Sequence, residues 1–169
     1  MNLVLLGMMG SGKTTVGLCL SKKTSRPLLD TDAEIVKTHG EIKRIFAEHG
    51  ERYFRELERG LAERLSKTDG QIIATGGGFV LEPKNAENLR KNGTLVYLRA
   101  TAQTLEKRLK KDGERPLLEG EESLSEKIAR LLIERGVRYE SLADVVVDVD
   151  GKSVEEVAEE ILKKVGRKQ

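Results

Sequence analysis

The sequence predicts an α/β fold, a three-layer α/β/α domain built around a five-stranded parallel sheet. Five short runs rich in Val, Ile and Leu recur along the chain, and each precedes a segment of helical length. The runs lack polar alternation, so each strand is expected to be buried on both faces. They cover residues 3–6, 27–29, 71–74, 94–98 and 144–149, and the length of 169 residues suits a single domain over 1–169.

Helical periodicity fills the segments between these strands. Helices are expected near residues 13–24, 32–38, 42–66, 82–91, 101–110, 123–138 and 153–165. Ser153 followed by Glu156 has the spacing of a capping box, which places the start of the last helix at that serine.

Two segments fit the alternating pattern poorly. An insertion at about 32–60 contains a long amphipathic helix, with Ile42, Ile45, Phe46 and His49 on one side. The segment at about 110–122 is charged, contains glycine and is broken by Pro116, so it is expected to be a mobile loop. Such insertions are either ordinary solvated connections or, in a phosphoryl-transfer enzyme, an acceptor pocket and a closing lid.

Composition limits the possible partners. The net charge of +2 gives no general attraction to nucleic acid or to an anionic membrane. No apolar stretch approaches the length of a membrane span, and no signal peptide is recognisable, so a cytoplasmic protein is expected. Cys19 is interpreted as a small buried thiol rather than a nucleophile. Nothing in the sequence requires a dimer, so a monomer is expected.

The first strand runs directly into a phosphate-binding pattern. Residues 7–14 fit the template G-x-x-x-x-G-K-[ST], with a strand before it and a helix after it. Glycines let the backbone N–H groups surround a polyphosphate, Lys13 reaches the β and γ oxygens, and the Thr14 hydroxyl can ligate Mg²⁺. The alternative is a glycine turn that only joins strand to helix. We predict that ATP binds here as a co-substrate.

The usual aspartate of nucleotide-hydrolysing machines is missing after the third strand, which ends in Thr75 and three glycines. Asp30-Thr31-Asp32, after the second strand, supplies carboxylates instead. Ligands of open parallel sheets bind outside the carboxyl ends of the strands, so this pair and the phosphate loop are expected to share a crevice. One aspartate can serve a metal and the other an acceptor hydroxyl. Asp32 can also simply cap the next helix, and both interpretations can hold together.

Glycines and arginines complete the candidate acceptor site. Gly76-Gly77-Gly78 allows a ligand to approach the backbone closely, although a helix-entry turn is the alternative. Arg55, Arg115 and Arg135 lie outside the phosphate loop, and arginine forks suit carboxylate and phosphate. These residues predict an anionic acceptor.

The chain resembles the shikimate kinases, within the nucleoside-monophosphate-kinase-like group of P-loop folds. Six segments in chain order carry the resemblance: residues 7–14, Asp30-Thr31-Asp32, Phe54-Arg55-x-x-Glu58, Thr75-Gly76-Gly77-Gly78, Arg115-Pro116-Leu117-Leu118 and Arg135-x-x-x-Tyr139-Glu140-x-x-Ala143. The resemblance implies that ATP phosphorylates shikimate, giving ADP and shikimate 3-phosphate, with a helical substrate-binding insertion and a lid loop.

The same resemblance implies roles for individual residues. The catalytic residues would be Asp32, Lys13 and Arg115. Nucleotide contacts would come from Gly10, Ser11, Gly12, Lys13, Thr14, Thr15, Arg108, Arg115 and Lys152. Shikimate would be held by Asp32, Phe46, Phe54, Arg55, Glu58, Gly76, Gly77, Gly78 and Arg135. Thr14 would bind Mg²⁺ directly, and Asp30 would assist through water.

Two other functions are open at this point. A kinase for another small hydroxy acid, such as gluconate, would share the loop and the fold. A nucleotide-dependent switch is disfavoured, because Ser66-Lys67-Thr68-Asp69 lacks the asparagine that begins the guanine-reading N-K-x-D element and precedes the third strand. His39 and His49 lack metal-ligand spacing and are expected at the surface or packed between helices.

Overall fold

The computed structural model describes residues 1–111 and 122–167, and these form an α/β structure. The strands are β1 Asn2–Leu6, β2 Leu28–Asp30, β3 Ile72–Ala74, β4 Gly93–Arg99 and β5 Val145–Asp148. The α-helices are α1 Lys13–Thr24, α2 Thr31–His39, α3 Ile42–Leu65, α4 Pro83–Arg90, α5 Ala102–Lys111, α6 Leu124–Leu142 and α7 Val154–Gly166. A short 3-10 helix covers Phe79–Leu81.

The five strands form one parallel sheet in the order β2-β3-β1-β4-β5. All residues of β1 and β3 are buried. Alternate side chains of a strand point to opposite faces, so complete burial means that helices cover both faces of the sheet. The apolar runs therefore predict the sheet correctly, and the α/β fold class is confirmed. The expectation that every strand is buried on both faces is wrong for the two edge strands, because each has a neighbour on one side only: β2 is half-buried throughout, and β5 includes the exposed Asp148.

Packed pairs of helices cover the sheet. Helix α1 packs against α7, while α3 packs against α4 and α5 against α6. The buried apolar side chains of all these elements join in one core, which anchors the loops at the carboxyl ends of the strands. In the two described ranges, no helix is both long and apolar enough to cross a membrane.

The predicted single helix over 42–66 is wrong in one respect. Gly50 has φ 83° and ψ 172°, so two helical segments meet there at a break. A positive φ strains residues with a side chain, and glycine accepts it without cost. Of the residues predicted on one side, Ile45 is buried, whereas Phe46 and His49 are exposed, because the break separates this short first segment from the rest of α3.

The ends of other elements refine the sequence-based expectations. The capping box at Ser153 and Glu156 is confirmed, and Ser123 forms a second one with Glu126 at the start of α6. Cys19, interpreted from the sequence as a small buried thiol, is a free cysteine that packs against the core but is only partly buried. Helix α1 has an exposed face at that point, which the apolar residues around the cysteine did not indicate.

Candidate active site

The sheet order brings the predicted site segments side by side. Strand β3 lies between β1 and β2, and Leu5, Ala74 and Asp30 occupy the same level across these three strands. The loops that leave the three strands therefore emerge as neighbours at the carboxyl edge of the sheet. They are the phosphate loop, the triple-glycine segment and the Asp30-Thr31-Asp32 segment.

The phosphate loop folds tightly around its own lysine. Gly7, Gly10 and Gly12 have φ values of 146°, 80° and 94°, which favour glycine. Lys13 Nζ donates to the Gly7 oxygen at 2.7 Å and to the Met8 oxygen at 2.8 Å. Burial lowers the pKa of this ammonium group to about 8, although the nearby aspartates oppose the shift. The charge of Lys13 therefore depends on pH within the assay range.

Asp30 uses both of its carboxylate oxygens. Oδ1 accepts from the backbone N–H of Asp32 at 3.0 Å and of Ala33 at 3.1 Å, while Oδ2 accepts from Thr14 Oγ1 at 2.7 Å. The interpretation of Asp32 as the helix cap is wrong, because Asp30 caps α2. Capping by Asp30 leaves the Asp32 carboxylate available for a ligand.

The Thr14–Asp30 pair suits a small hard cation. Hydroxyl and carboxylate oxygens are the ligands that Mg²⁺ takes, and this ion keeps several waters and phosphate oxygens in its shell. No group of three or more His, Cys, Asp and Glu side chains gathers as a metal site within residues 1–111 and 122–167. A site of one or two protein ligands needs no such group, so the residues fit Mg²⁺ held jointly with a nucleotide.

Each glycine of the triple-glycine segment faces one predicted acceptor residue. A Cβ atom on Gly76 would lie 2.5 Å from Asp32 Oδ1, and one on Gly78 would lie 2.9 Å from Arg55 Nη1. A Cβ on Gly77 would be 3.5 Å from Arg135 Nη1. Three side chains from three helices thus converge on backbone that has no side chain of its own. The helix-entry alternative also holds for Gly78, the residue before the 3-10 helix.

The surroundings of the Asp32 carboxylate shift its pKa. Its half-buried position and the neighbouring Asp30 raise its pKa, while Lys13 and Arg55 oppose the rise. A raised pKa makes the carboxylate a stronger base toward a hydroxyl group.

Arg55 is held by carboxylates on its own helix. Nη1 donates to Oε2 of the buried Glu58 at 2.7 Å, and Nη2 donates to Oε1 of the exposed Glu51 at 3.3 Å. Burial raises the pKa of Glu58, and Arg55 opposes that rise. The guanidinium also lies 5.5 Å from the Phe54 ring centre, and Phe46 packs on Phe54 with ring centres 5.0 Å apart. Phe54 therefore lies beside this arginine and Phe46 packs behind it, while their contact with shikimate stays a prediction.

Two cavities meet at the phosphate loop and share Gly10, Gly12 and Thr15. One, of about 450 Å³, is lined by the phosphate loop, both aspartates and Gly76 and Gly77. The other, of about 300 Å³, has an apolar valine lining with cationic side chains, namely Val16, Val149, Val154, Val157, Arg108, Lys111 and Lys152. The first suits polar groups and phosphate, and the second suits a flat base.

Three further residues of the sequence-based site need comment. Arg108 Nη1 donates to the Ser11 oxygen at 3.1 Å, so its guanidinium lies on the phosphate loop beside the second cavity. The Lys152 ammonium pairs with Glu160 at 2.6 Å, although its side chain lines that cavity. Arg115 and most of the predicted lid at 110–122 lie outside the described residues.

The sequence indicated no individual role for Thr31 or Tyr139, and it left open whether Arg138 joins Arg135 at the substrate. Thr31 Oγ1 accepts from the Gly76 N–H at 2.9 Å and so ties the two acceptor loops together. Arg138, adjacent to the site, donates to the Leu81 oxygen at 3.0 Å instead of facing the triple-glycine segment. The Tyr139 hydroxyl donates a hydrogen bond to the Gly77 carbonyl oxygen. The feature that could have identified Thr31 from the sequence is its polar side chain between Asp30 and Asp32.

A model of the shikimate kinase family matches residues 9–166. The chain belongs to the shikimate kinase family. A shikimate kinase of Caldicellulosiruptor bescii is 45% identical over 162 residues, which cover 95% of this chain and 93% of that protein. A shikimate kinase of Thermodesulfovibrio yellowstonii is 42% identical over 167 residues, with 98% and 95% covered.

Solved structures of shikimate kinases have the same fold. The Acinetobacter baumannii enzyme in complex with shikimate superposes with a TM-score of 0.91 at 33% identity, covering 99% of this chain and 94% of that one. The Aquifex aeolicus enzyme gives 0.82 at 34% identity, with 99% and 98% covered. A gluconokinase from Sinorhizobium meliloti, at 0.66 and 21%, shares the fold alone. The predictions of a shikimate kinase family member, of its fold class and of a kinase are confirmed.

Proposed function

We propose that this chain transfers the γ-phosphoryl group of ATP to the 3-hydroxyl of shikimate, giving ADP and shikimate 3-phosphate for aromatic amino acid biosynthesis. One observation carries the acceptor assignment: Asp32, Arg55 and Arg135 converge on Gly76–Gly78 beside the phosphate loop. Shikimate combines a ring carboxylate with neighbouring hydroxyl groups. Two guanidinium groups suit the carboxylate, and the Asp32 carboxylate suits a hydroxyl.

The donor side binds ATP through the loop and the apolar cavity. Backbone N–H groups at the start of α1 and the Lys13 ammonium hold the phosphates, and the base lies between Arg108 and the valine-lined wall. Thr14 would hold Mg²⁺ directly and Asp30 would hold it through water. When bound there, the ion neutralises charge on the β and γ oxygens.

The proposed reaction depends on alignment more than on covalent chemistry. Phosphoryl transfer passes through a loose transition state, so positioning and neutralisation of charge supply most of the acceleration. Asp32 accepts the hydrogen bond of the attacking hydroxyl and orients it toward the phosphorus. Glu58 holds Arg55 with a 2.7 Å bond, so the acceptor carboxylate meets a preoriented fork. Lys13 and Arg115 would contact the transferring group.

ADP formation in Mg²⁺-ATP, with and without shikimate, tests the proposal. We expect turnover that depends on shikimate and little or none with gluconate or nucleoside monophosphates. ATP should support turnover better than GTP. If shikimate does not stimulate ADP formation, or if gluconate does so equally, the acceptor assignment is wrong.

Asp32→Asn tests the proposed role of that carboxylate. The amide keeps the size of the side chain but loses the base, so kcat should fall by about 100-fold or more. The KM for ATP should change much less. Asp69→Asn, at the opposite edge of the sheet beside the N-terminal amine, is the matched control and should retain wild-type kcat. An unchanged kcat in Asp32→Asn would remove Asp32 from the mechanism.

The expected cytoplasmic monomer is part of the same proposal. Both proposed substrates are small molecules. Light scattering after size exclusion measures the mass directly. A dimer mass at assay concentration would contradict this part of the proposal and leave the reaction unaffected.

A further inference from the structure

Tyr139 is a fully buried polar residue that no step above uses. It lies one helical turn after Arg135 on α6 and is among the largest side chains with no exposed surface. Its hydroxyl donates a hydrogen bond to the carbonyl oxygen of Gly77. A phenylalanine would fill nearly the same volume without burying a hydroxyl, so the core alone gives no reason for a tyrosine here.

The hydroxyl lies where the glycine segment meets Arg135. A Cβ atom on Gly77 would be 3.5 Å from Arg135 Nη1 and 3.8 Å from the Tyr139 hydroxyl. The side chains of Arg135 and Tyr139 also interact with each other. Burial raises the pKa of the Tyr139 phenol, and the positive charge of Arg135 lowers it. The Tyr139 side chain therefore contacts both Arg135 and the backbone of Gly77, which lines the cavity of about 450 Å³ beside the phosphate loop.

Three successive glycines need such a restraint. Glycine has more conformational freedom than any other residue, so Gly76–Gly78 does not hold one geometry by itself. Thr31 fixes the segment at the Gly76 N–H with a 2.9 Å bond, and Tyr139 fixes it at the Gly77 carbonyl. The Tyr139 ring in turn packs on Tyr97 of β4, with ring centres 5.3 Å apart. The sheet thus supports the tyrosine from behind.

We propose that Tyr139 is a positioning residue for the acceptor: its hydroxyl holds the Gly77 peptide and Arg135 in the arrangement that receives the acceptor carboxylate. The inference rests on the proposed function and deepens it. Within the described part of the chain, Tyr139 is not among the residues that line the valine-walled nucleotide cavity, so its main effect should fall on the acceptor. It acts on binding of the acceptor before it acts on transfer.

Tyr139→Phe removes only the hydroxyl. Loss of one buried hydrogen bond should raise the KM for shikimate, and the Kd measured by calorimetry without ATP, by about tenfold. The KM for ATP should stay within about twofold, since the nucleotide contacts are untouched. Tyr97→Phe is the matched control. It removes the hydroxyl of the ring that packs on Tyr139, and within residues 1–111 and 122–167 that hydroxyl makes no hydrogen bond. The KM values for shikimate and ATP should therefore remain those of the wild type.

A double-mutant cycle separates positioning from simple support of the core. In an Arg135→Lys background, Tyr139→Phe should raise the shikimate KM by clearly less than it does in the wild type, because the arginine that it positions is already altered. Full additivity, or equal increases in both KM values together with a lowered unfolding temperature, would mean that Tyr139 is only structural. An unchanged shikimate KM in the single variant would also overturn the inference.

If Tyr139→Phe does not fold, 3-fluorotyrosine at position 139 replaces it. This residue keeps the hydroxyl, so affinity for shikimate should be retained and the fluorine resonance should shift on addition of shikimate. A resonance that is unchanged at saturating shikimate would contradict the inference. The two proposals fail differently: a wild type without shikimate-stimulated turnover defeats the proposed function, whereas an active wild type with an unaffected variant defeats the role of Tyr139 alone.

Discussion

Gly76→Ala places a methyl group against the proposed base. The added Cβ would lie 2.5 Å from Oδ1, 3.1 Å from Cγ and 3.2 Å from Oδ2 of Asp32. Gly76 is not among the glycines with positive φ, so alanine is compatible with the backbone and acts only through this contact. The carboxylate must therefore move away from the loop.

The distance sets the size of the effect. Ordinary van der Waals contact begins at 3.4 Å, so Asp32 Oδ1 is too close by about 0.9 Å. A displacement of about 1 Å in a positioning group costs about 100-fold in rate. We expect kcat to fall by about that factor while the KM for ATP changes little. Gly78→Ala instead meets Arg55 at 2.9 Å and should act mainly on the KM for shikimate.

Steady-state ADP release at varied shikimate and ATP measures both constants, and thermal unfolding reports on folding. Gly60→Ala is the control, because its Cβ would have no neighbour within 4 Å and it lies in α3 away from the site. That change should stabilise the protein by about 0.5–1 kcal/mol without affecting kcat. The reasoning is refuted if Gly76→Ala keeps kcat within about threefold of the wild type at an unchanged unfolding temperature.

Three other predictions concern charged side chains of the site. Because the pKa of Lys13 is about 8, kcat/KM for ATP should fall as pH rises through that value, and a flat profile to pH 10 would contradict this. In the unfolded chain the lysine keeps its proton to higher pH, so the free energy of unfolding should rise between pH 8 and the ordinary lysine pKa of 10.5. Glu51→Gln removes the negative charge that competes for Arg55 Nη2, so it should lower the shikimate KM by about twofold. Glu56→Gln, which changes the Arg52 pair in the same way, is the control and should have no effect; a raised KM in Glu51→Gln would contradict the reasoning. Arg55→Lys keeps the charge but loses the fork, so the shikimate KM should rise by about tenfold or more, and a wild-type value would place Arg55 outside the pocket.

The phosphate loop and the strands were predictable because their signals are local. Residues 7–14 carry the whole phosphate-binding pattern, and uninterrupted apolar runs follow directly from burial on both faces. The break at Gly50 was harder to predict, because a glycine inside an amphipathic pattern is compatible with either a continuous helix or a break. Only the φ of 83° decides between them.

The contacts of the site depend on the order of the strands, which no local pattern gives. Asp30 and Asp32 both have the residue type of a helix cap, and the backbone direction after β2 selects Asp30. The match of each glycine to one acceptor side chain requires β3 to lie between β1 and β2. Tyr139 contacts Gly77, 62 residues away in sequence, so its periodicity in α6 indicates burial but not its partner.

One oxygen of the Asp30 carboxylate caps α2 and the other accepts from Thr14, so no conservative replacement at position 30 keeps both contacts. Asparagine would keep the cap on α2 but lose the charge beside Thr14, and glutamate would keep the charge but not the short reach to the N–H groups of Asp32 and Ala33. A replacement at position 30 that loses the short reach would therefore shift the first turn of α2, which carries Asp32, as well as change the proposed metal site. Redesign of the proposed cation site is better directed at Thr14, because this residue does not cap α2.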